Sequence, residues 1–128
     1  MNFKVKSPIL GFEDIEEVKF TKIDELLAKI EVIGKDAITF SLVNPYALRE
    51  YSFDLPANVQ ALMEITTETK VTVYNIIAVQ NPAEASIVNF LAPIIFNEEN
   101  HTCGQVVLQS SHYPDFGLAE PVKKYLSA

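Results

Sequence analysis

Apolar and polar residues alternate with a period of two along much of the chain. Phe3 and Val5 alternate with Lys4 and Lys6, and a similar pattern recurs around residues 17–21. Because successive side chains of a strand point to opposite faces, this alternation is typical of strands with one buried face and one solvated face.

Further strands are predicted from segments rich in β-branched and aromatic residues. These segments are 37–43, 70–80, 87–91, 94–96 and 104–110. Turn-forming residues separate them at 7–8, 34–36, 44–45, 81–82 and 97–104. Short strands at regular spacing with polar turns favour a small barrel or a sandwich. We therefore expect a mainly β fold.

One segment has the spacing of a helix. Asp54 offers an N-cap carboxylate, Pro56 follows it closely, and Val59, Leu62 and Met63 recur at helical intervals. This pattern predicts one short helix of about two to three turns.

Two other segments are less regular. Residues 24–33 fit both a helix and a strand, and we favour a strand because Ile-Glu-Val-Ile leads directly to a turn at Gly34. After Tyr113 the sequence contains two prolines, one glycine and little periodicity, so we expect an irregular tail from about residue 114. The absence of linkers and repeats predicts a single domain over residues 1–128.

Charge narrows the class of partner. The 128 residues include 10 basic and 17 acidic side chains, which gives a net charge of −7. No lysine or arginine occurs between Val71 and Val122, although that stretch carries Glu84, Glu98, Glu99, Asp115 and Glu120. A long stretch without cations cannot neutralise phosphates, so we expect no direct nucleic-acid binding. An acidic protein suits a basic partner, whose encounter its field would steer.

Other features predict a cytoplasmic protein. Cys103 is the sole cysteine, so no intramolecular disulfide can form. The N-terminal residues lack the apolar core of a signal peptide, and no apolar run reaches the length of a membrane span. We therefore expect no membrane association.

The strongest catalytic candidate lies in the region 101–115. His101, Cys103, His112 and Asp115 could form a Cys/His nucleophile pair or a metal site. No signature surrounds the cysteine, and the paired ligand spacings of zinc sites are absent. We interpret the segment as a surface loop and predict no enzymatic activity, no metal and no cofactor, with a Cys/His enzyme or metal-binding protein as the alternative.

Aromatic and amide side chains next to prolines are the candidates for partner contacts. They occur in Asn44-Pro45-Tyr46, in Tyr51 and Phe53, and in the run 89–93. Aromatic residues at loop margins can anchor a protein partner, although the same residues also serve ordinary cores and turns.

The run 86–97, SIVNFLAPIIFN, resembles the signature of the FliW family of flagellar assembly factors. The strand that begins Gly104-Gln105 resembles the Gly-x-Gln-Val pattern of that family with one residue fewer, and 7–12 resembles its opening turn. Two further departures are Leu10, where a proline is usual, and Phe90, where a leucine is usual.

The resemblance implies a small closed or partly open antiparallel β-barrel without catalytic activity. It implies two partners, flagellin and the RNA-binding regulator CsrA, whose exchange on the protein would couple flagellin synthesis to export. From these family positions and their places at loops or strand ends, we predict the following contact residues: Asn44, Pro45, Tyr46, Tyr51, Asn89, Phe90, Pro93, Asn97 and Gln105.

Overall fold

The computed structural model describes residues 1–34 and 38–125. Its strands are β1 (Asn2–Ser7), β2 (Glu17–Lys22), β3 (Leu27–Val32), β4 (Thr39–Val43), β5 (Val71–Ala78), β6 (Ile87–Val88), β7 (Ile94–Asn97), β8 (Thr102–Gln105) and β9 (Glu120–Pro121). The helix α1 spans Ala57–Met63, and short 3₁₀ turns cover Pro45–Ala47, Ala83–Ala85 and Val122–Tyr125.

Within the described residues, seven strands close into a barrel in the order β4-β3-β2-β1-β8-β7-β5, and β5 pairs again with β4. Every neighbouring pair is antiparallel except β1 with β8, which is parallel. An odd number of strands cannot close with every pair antiparallel, because strand direction would fail to match at the last pair. The mainly β barrel is confirmed, and its antiparallel description needs this one correction.

The parallel pair is held closely by a glycine. A Cβ atom added to Gly104 would lie 2.6 Å from Ser7 Cβ and 2.9 Å from Ser7 N. Gln105 then fixes the neighbouring turn, because its side chain accepts from Leu10 N at 2.7 Å and donates to Ala92 O at 3.1 Å. The opening turn and the Gly104-Gln105 segment, which both resemble family motifs, therefore meet at this seam.

Aromatic side chains fill the barrel interior. Phe20 lies 5.0 Å from Phe96 and 5.2 Å from Tyr74 between ring centroids, and Phe3 lies 5.1 Å from Phe96. Outside the barrel, α1 packs Val59 and Met63 against a second apolar cluster with Leu91, Ile95, Val106 and Leu108. The helix thus packs on the outside of the barrel, beside β8 and β1.

The helix begins later than the N-cap prediction placed it. Pro56 occupies the N-cap position and makes no side-chain capping bond, so the prediction that Asp54 caps the helix is wrong. The backbone N–H of Asp54 instead donates to Tyr113 Oη at 2.9 Å. Glu64, with φ 55°, ends the helix in the left-handed region.

The ambiguous segment 24–33 contains a strand, β3, as favoured. Asp24 Oδ1 accepts from the N–H groups of Leu26 and Leu27 at 2.8 and 2.7 Å, which forms the turn that leads into it. The two N–H donors hold the pKa of Asp24 below its ordinary value. Residues 35–37, which include part of the predicted turn and the start of the predicted strand 37–43, lie outside the described residues.

Two predicted strands differ in extent. The predicted strand 87–91 ends after Val88, because Asn89 Oδ1 accepts from Leu91 N at 3.0 Å and turns the chain. The predicted strand 104–110 is displaced towards the N-terminus, since β8 ends at Gln105.

The tail is more regular than its sequence suggests. Glu120–Pro121 pairs with β6, and Val122–Tyr125 forms a 3₁₀ turn whose Val122 is buried. The prediction of an irregular tail from about residue 114 holds for residues 114–119, which form turns and bends without strand pairing.

Candidate interaction surface

The structure divides the nine predicted contact residues into buried and accessible groups. Six side chains are buried: Pro45, Tyr51, Phe90, Pro93, Asn97 and Gln105. Asn44 and Asn89 are half-buried, and Tyr46 is 55% exposed. These six leave little side-chain surface for direct contact with a partner in this conformation.

The Asn44-Pro45-Tyr46 turn presents the accessible aromatic ring. Asn44 Oδ1 accepts from Tyr46 N at 3.0 Å, and Asn44 Nδ2 donates to Glu25 O at 3.4 Å. The buried ring of Pro45 opens the 3₁₀ turn. Tyr46 therefore stands on a turn that is fixed at its base, with its own ring 6.1 Å from the ring of Tyr51.

Tyr51 anchors the segment beneath this turn. Its hydroxyl donates to Phe90 O at 2.6 Å and accepts from Asn75 Nδ2 at 3.2 Å. The same Asn75 amide donates to Asn89 O at 2.9 Å. Burial raises the pKa of Tyr51 well above its ordinary value. The hydroxyl is thus a neutral structural link between the 51–55 segment and the run 89–93.

Asn97 and Gln105 also serve the framework. Asn97 Nδ2 donates to Met63 O at 2.9 Å, which satisfies a carbonyl at the end of α1. Its Oδ1 accepts from Glu99 N at 2.9 Å and so shapes the following loop. Both side chains have hydrogen-bond partners, which burial of a polar group requires.

Two adjoining cavities flank the first half of β5. One has a volume of about 220 Å³ and the other a volume of about 160 Å³. Tyr46, Val71 and Val73 line both. The larger is completed by Tyr51, Ser52, Phe53, Leu55 and Ile95, and the smaller by Asn44, Thr72 and Tyr74. We call this paired feature the β5 groove.

Carboxylates stand at one end of the β5 groove. Glu99 Oε2 accepts from Lys70 N at 2.6 Å, and Glu98 Oε2 lies 3.9 Å from Lys70 Nζ. Glu98 Oε2 is buried and has no hydrogen-bond partner among the described residues. Lys70 is faced by two carboxylates, which leaves this end of the β5 groove with an acidic excess.

A second polar cluster, which sequence reasoning missed, lies where the tail meets the barrel. The guanidinium of Arg49 lies 4.9 Å from the ring centroid of Phe116, 5.3 Å from that of Phe90 and 5.5 Å from that of Tyr125. Arg49 Nη1 is also 3.6 Å from Glu120 Oε2. Arg49 is the only arginine in the chain, and that rarity is the signal that could have identified it.

The region 101–115 does not assemble a nucleophile. Cys103 is 1% exposed in the barrel core, and burial raises the pKa of its thiol to about 12, so it is not a thiolate at neutral pH. His101 is exposed and stacks on Phe3 at 5.7 Å. Across residues 1–34 and 38–125, no three His, Cys, Asp or Glu side chains are grouped so that they could hold a metal ion.

None of the helices within residues 1–34 and 38–125 has the length and apolar character that crossing a membrane requires.

Known proteins resemble this chain along most of its length. The profile of the family described as FliW protein matches residues 1–116. The Flagellar assembly factor FliW 1 of Wolinella succinogenes is 49% identical over 126 residues, which are 98% of each chain. The Flagellar assembly factor FliW of Helicobacter pylori strain G27 is 44% identical over 128 residues, covering 98% of this chain and 95% of the relative.

A solved structure has the same fold. The crystal structure of a flagellar assembly factor FliW superposes with a TM-score of 0.84 at 22% identity, covering 94% of this chain and 84% of its own. The barrel architecture is therefore shared well beyond the range of close sequence similarity.

Proposed function

The chain belongs to the FliW family, and from this membership we propose that it is a flagellar assembly factor that binds flagellin and the RNA-binding translational regulator CsrA. In this role it acts in the cytoplasm and without catalysis. Free protein binds CsrA and relieves repression of flagellin translation, whereas accumulated flagellin occupies the protein and releases CsrA. The family match over residues 1–116 carries the proposal.

Charge supports a basic partner such as an RNA-binding regulator. The net charge of −7 favours encounter with a cationic surface, and the stretch from Val71 to Val122 contains no lysine or arginine that would oppose it. The same stretch is unsuited to RNA itself. The protein therefore acts on translation through the regulator and not through the message.

The accessible members of the predicted contact set define the surface in this proposal. Tyr46 supplies an exposed ring, and Asn44 and Asn89 supply half-buried amides. Aromatic residues with a fixed backbone are favourable anchors, because they bury a large area at a small cost in side-chain entropy. Pro45 begins the turn that carries Tyr46, and the buried ring of Tyr51 lies 6.1 Å from the Tyr46 ring, so these two residues support the exposed ring.

The Cys/His alternative lacks a supporting observation. A nucleophilic cysteine needs access to its substrate and a lowered pKa, whereas Cys103 is buried with a raised pKa.

A displacement experiment tests the proposed cycle. CsrA is bound to a labelled flagellin-leader RNA, and the purified chain is titrated in while the fraction of bound RNA is followed by gel mobility. We expect release of RNA, and we expect renewed RNA binding when flagellin is then added. Unchanged RNA occupancy at saturating protein would reject antagonism of CsrA. RNA release that flagellin does not reverse would reject the exchange of partners.

A further inference from the structure

The β5 groove exists because β4 leaves β5 early. Val43 pairs with Asn75 in the antiparallel β4–β5 ladder. Continuing that register would place Pro45 opposite Val73. Proline has no N–H to donate, and Pro45 begins a 3₁₀ turn instead. The Asn44-Pro45 pair thus ends the ladder, and among residues 1–34 and 38–125 the first half of β5 has no strand paired with it on this side.

Two independent hydrogen bonds show to which side of β5 the backbone N–H and C=O groups of each residue point. Ile76 O accepts from Asn89 N, so the backbone groups of Ile76 face β6, whose residues continue the line of β7 along β5. In the β7–β8 ladder, where Ile94 pairs with Gln105, Pro93 O accepts from Val106 N. The backbone groups of Ile94 therefore point towards its partner on β5, Tyr74.

The backbone N–H and C=O groups of successive residues in an antiparallel strand point alternately to its two sides, and this alternation gives their direction for the remaining residues of β5. Thr72 and Tyr74 direct their N–H and C=O groups to β7, whereas Val71 and Val73 direct theirs into the β5 groove. No backbone hydrogen bond from Val71 or Val73 towards the groove occurs in the described part of the chain. The groove floor is thus a short free edge of the barrel.

The two cavities match the side chains of an added strand. Successive residues of a strand point to opposite faces. Val71 and Val73 line both cavities, and the smaller cavity is also lined by Thr72 and Tyr74, whose side chains alternate with theirs to the other face of β5. The cavity volumes of about 220 and about 160 Å³ offer an added strand two separate recesses. Tyr46 borders both recesses, so its ring would contact the added strand directly.

The negative charge at the end of the β5 groove favours a partner with a cationic side chain. Glu98 and Glu99 stand beside Lys70 where β5 begins, and Glu98 Oε2 lacks a hydrogen-bond donor among residues 1–34 and 38–125. A lysine or arginine at the end of an incoming strand would offset this local excess of two carboxylates over one ammonium group.

We propose that the free edge of β5 at Val71 and Val73 accepts an extended segment of a basic protein partner, with apolar side chains in the two recesses and a cationic side chain at Glu98. The inference rests on the proposed function and identifies the docking mode of its basic regulator as strand addition. An edge of only two outward-facing residues gives a specific contact while offering little template for self-association.

Residue-resolved hydrogen exchange of the intact chain, alone and with CsrA, tests the proposal. In the free chain, the Val71 and Val73 amides should exchange faster than those of Thr72 and Tyr74, which are bonded to β7. In the complex, the Val71 and Val73 amides should slow by about tenfold or more, while Thr72 and Tyr74 change little. A complex that leaves Val71 and Val73 unprotected would overturn strand addition and leave the proposed function standing. Absence of any complex would overturn both.

Variants separate backbone from side-chain effects. Val71→Pro removes the outward N–H at the first residue of a strand, where proline is tolerated, and Val71→Ala keeps that N–H while shortening the side chain. We expect Val71→Pro to weaken CsrA binding about tenfold relative to Val71→Ala. Equal affinities in two folded variants would contradict the proposal.

A second pair of variants, at Tyr46, tests the proposal even if Val71→Pro does not fold. Tyr46 is exposed, so Tyr46→Ala should fold normally and weaken binding about tenfold, whereas Tyr46→Phe keeps the ring and the affinity. Normal binding by Tyr46→Ala would also overturn the proposal, because the ring borders both recesses.

Discussion

Arg49 Nη1 lies 3.6 Å from Glu120 Oε2, and the pair fastens the C-terminal segment to the barrel. Their side chains are only 18% and 11% exposed. Glu120 also accepts from Gly117 N, Lys124 Nζ and the hydroxyl of Tyr125. A segment with few sequence signals of regular structure is thus ordered by one buried carboxylate.

Removing this carboxylate should cost stability. Glu120→Gln leaves the Arg49 charge without its buried partner, and we expect the free energy of unfolding to fall by about 3 kcal/mol. Lys29 and Glu31 offer a matched control, because they are also 3.6 Å apart but 40% and 43% exposed. Glu31→Gln should cost less than about 0.5 kcal/mol. Urea unfolding of both variants is the measurement, and equal losses would show that burial of the Glu120 pair is unimportant.

Acid should remove the same contribution. Burial opposes ionisation of Glu120, but donation from Tyr125, Gly117 and Lys124 outweighs it and holds the pKa below its ordinary value of 4.5. A depressed folded-state pKa gives stability that is present above the unfolded-state pKa and is lost as the pH falls through the folded-state pKa. Between about pH 6 and about pH 3, the stability difference between the wild-type protein and Glu120→Gln should therefore shrink. A constant difference would contradict this assignment.

Tyr51 should behave as a structural residue. Tyr51→Phe removes the donor to Phe90 O and the acceptor for Asn75 Nδ2, so we expect a loss of about 1–3 kcal/mol in the free energy of unfolding. Partner affinity at a temperature where the variant is folded should stay unchanged. Weakened binding by a fully folded variant would return Tyr51 to the set of contact residues.

Cys103 should be unreactive in the folded chain. Its burial and its raised thiol pKa of about 12 predict that a disulfide reagent at mildly alkaline pH labels it only as fast as the protein opens. The same reagent in denaturant should label it at once. Rapid labelling of the native protein would revive the Cys/His alternative.

The sequence predicts most of the framework because local patterns decide it. The alternation of residues in β1 and β2 depends on near neighbours, and it reappears in the structure. The helix starts at Ala57 and not after Asp54, and the backbone N–H of Asp54 bonds to Tyr113, a contact between distant residues that no local rule contains.

The candidate surface was harder to predict for the same reason. Asn44-Pro45-Tyr46 was recognised as unusual from its composition, but its effect on β5 depends on the pairing of Val43 with Asn75. Phe90 and Tyr51 resemble exposed anchors in sequence, yet the fold places them beneath the surface. Burial depends on the closed barrel, whose parallel seam between β1 and β8 joins distant parts of the chain.

Titration calorimetry of the purified chain with CsrA, at low and at high salt, tests the central claim most directly. We expect a stoichiometric complex whose affinity falls as salt rises, because an acidic surface meets a basic partner. A complex with salt-independent affinity would contradict the electrostatic part of the account. The absence of binding heat, together with the absence of a complex in size-exclusion chromatography, would contradict the claim that this chain acts by binding the regulator.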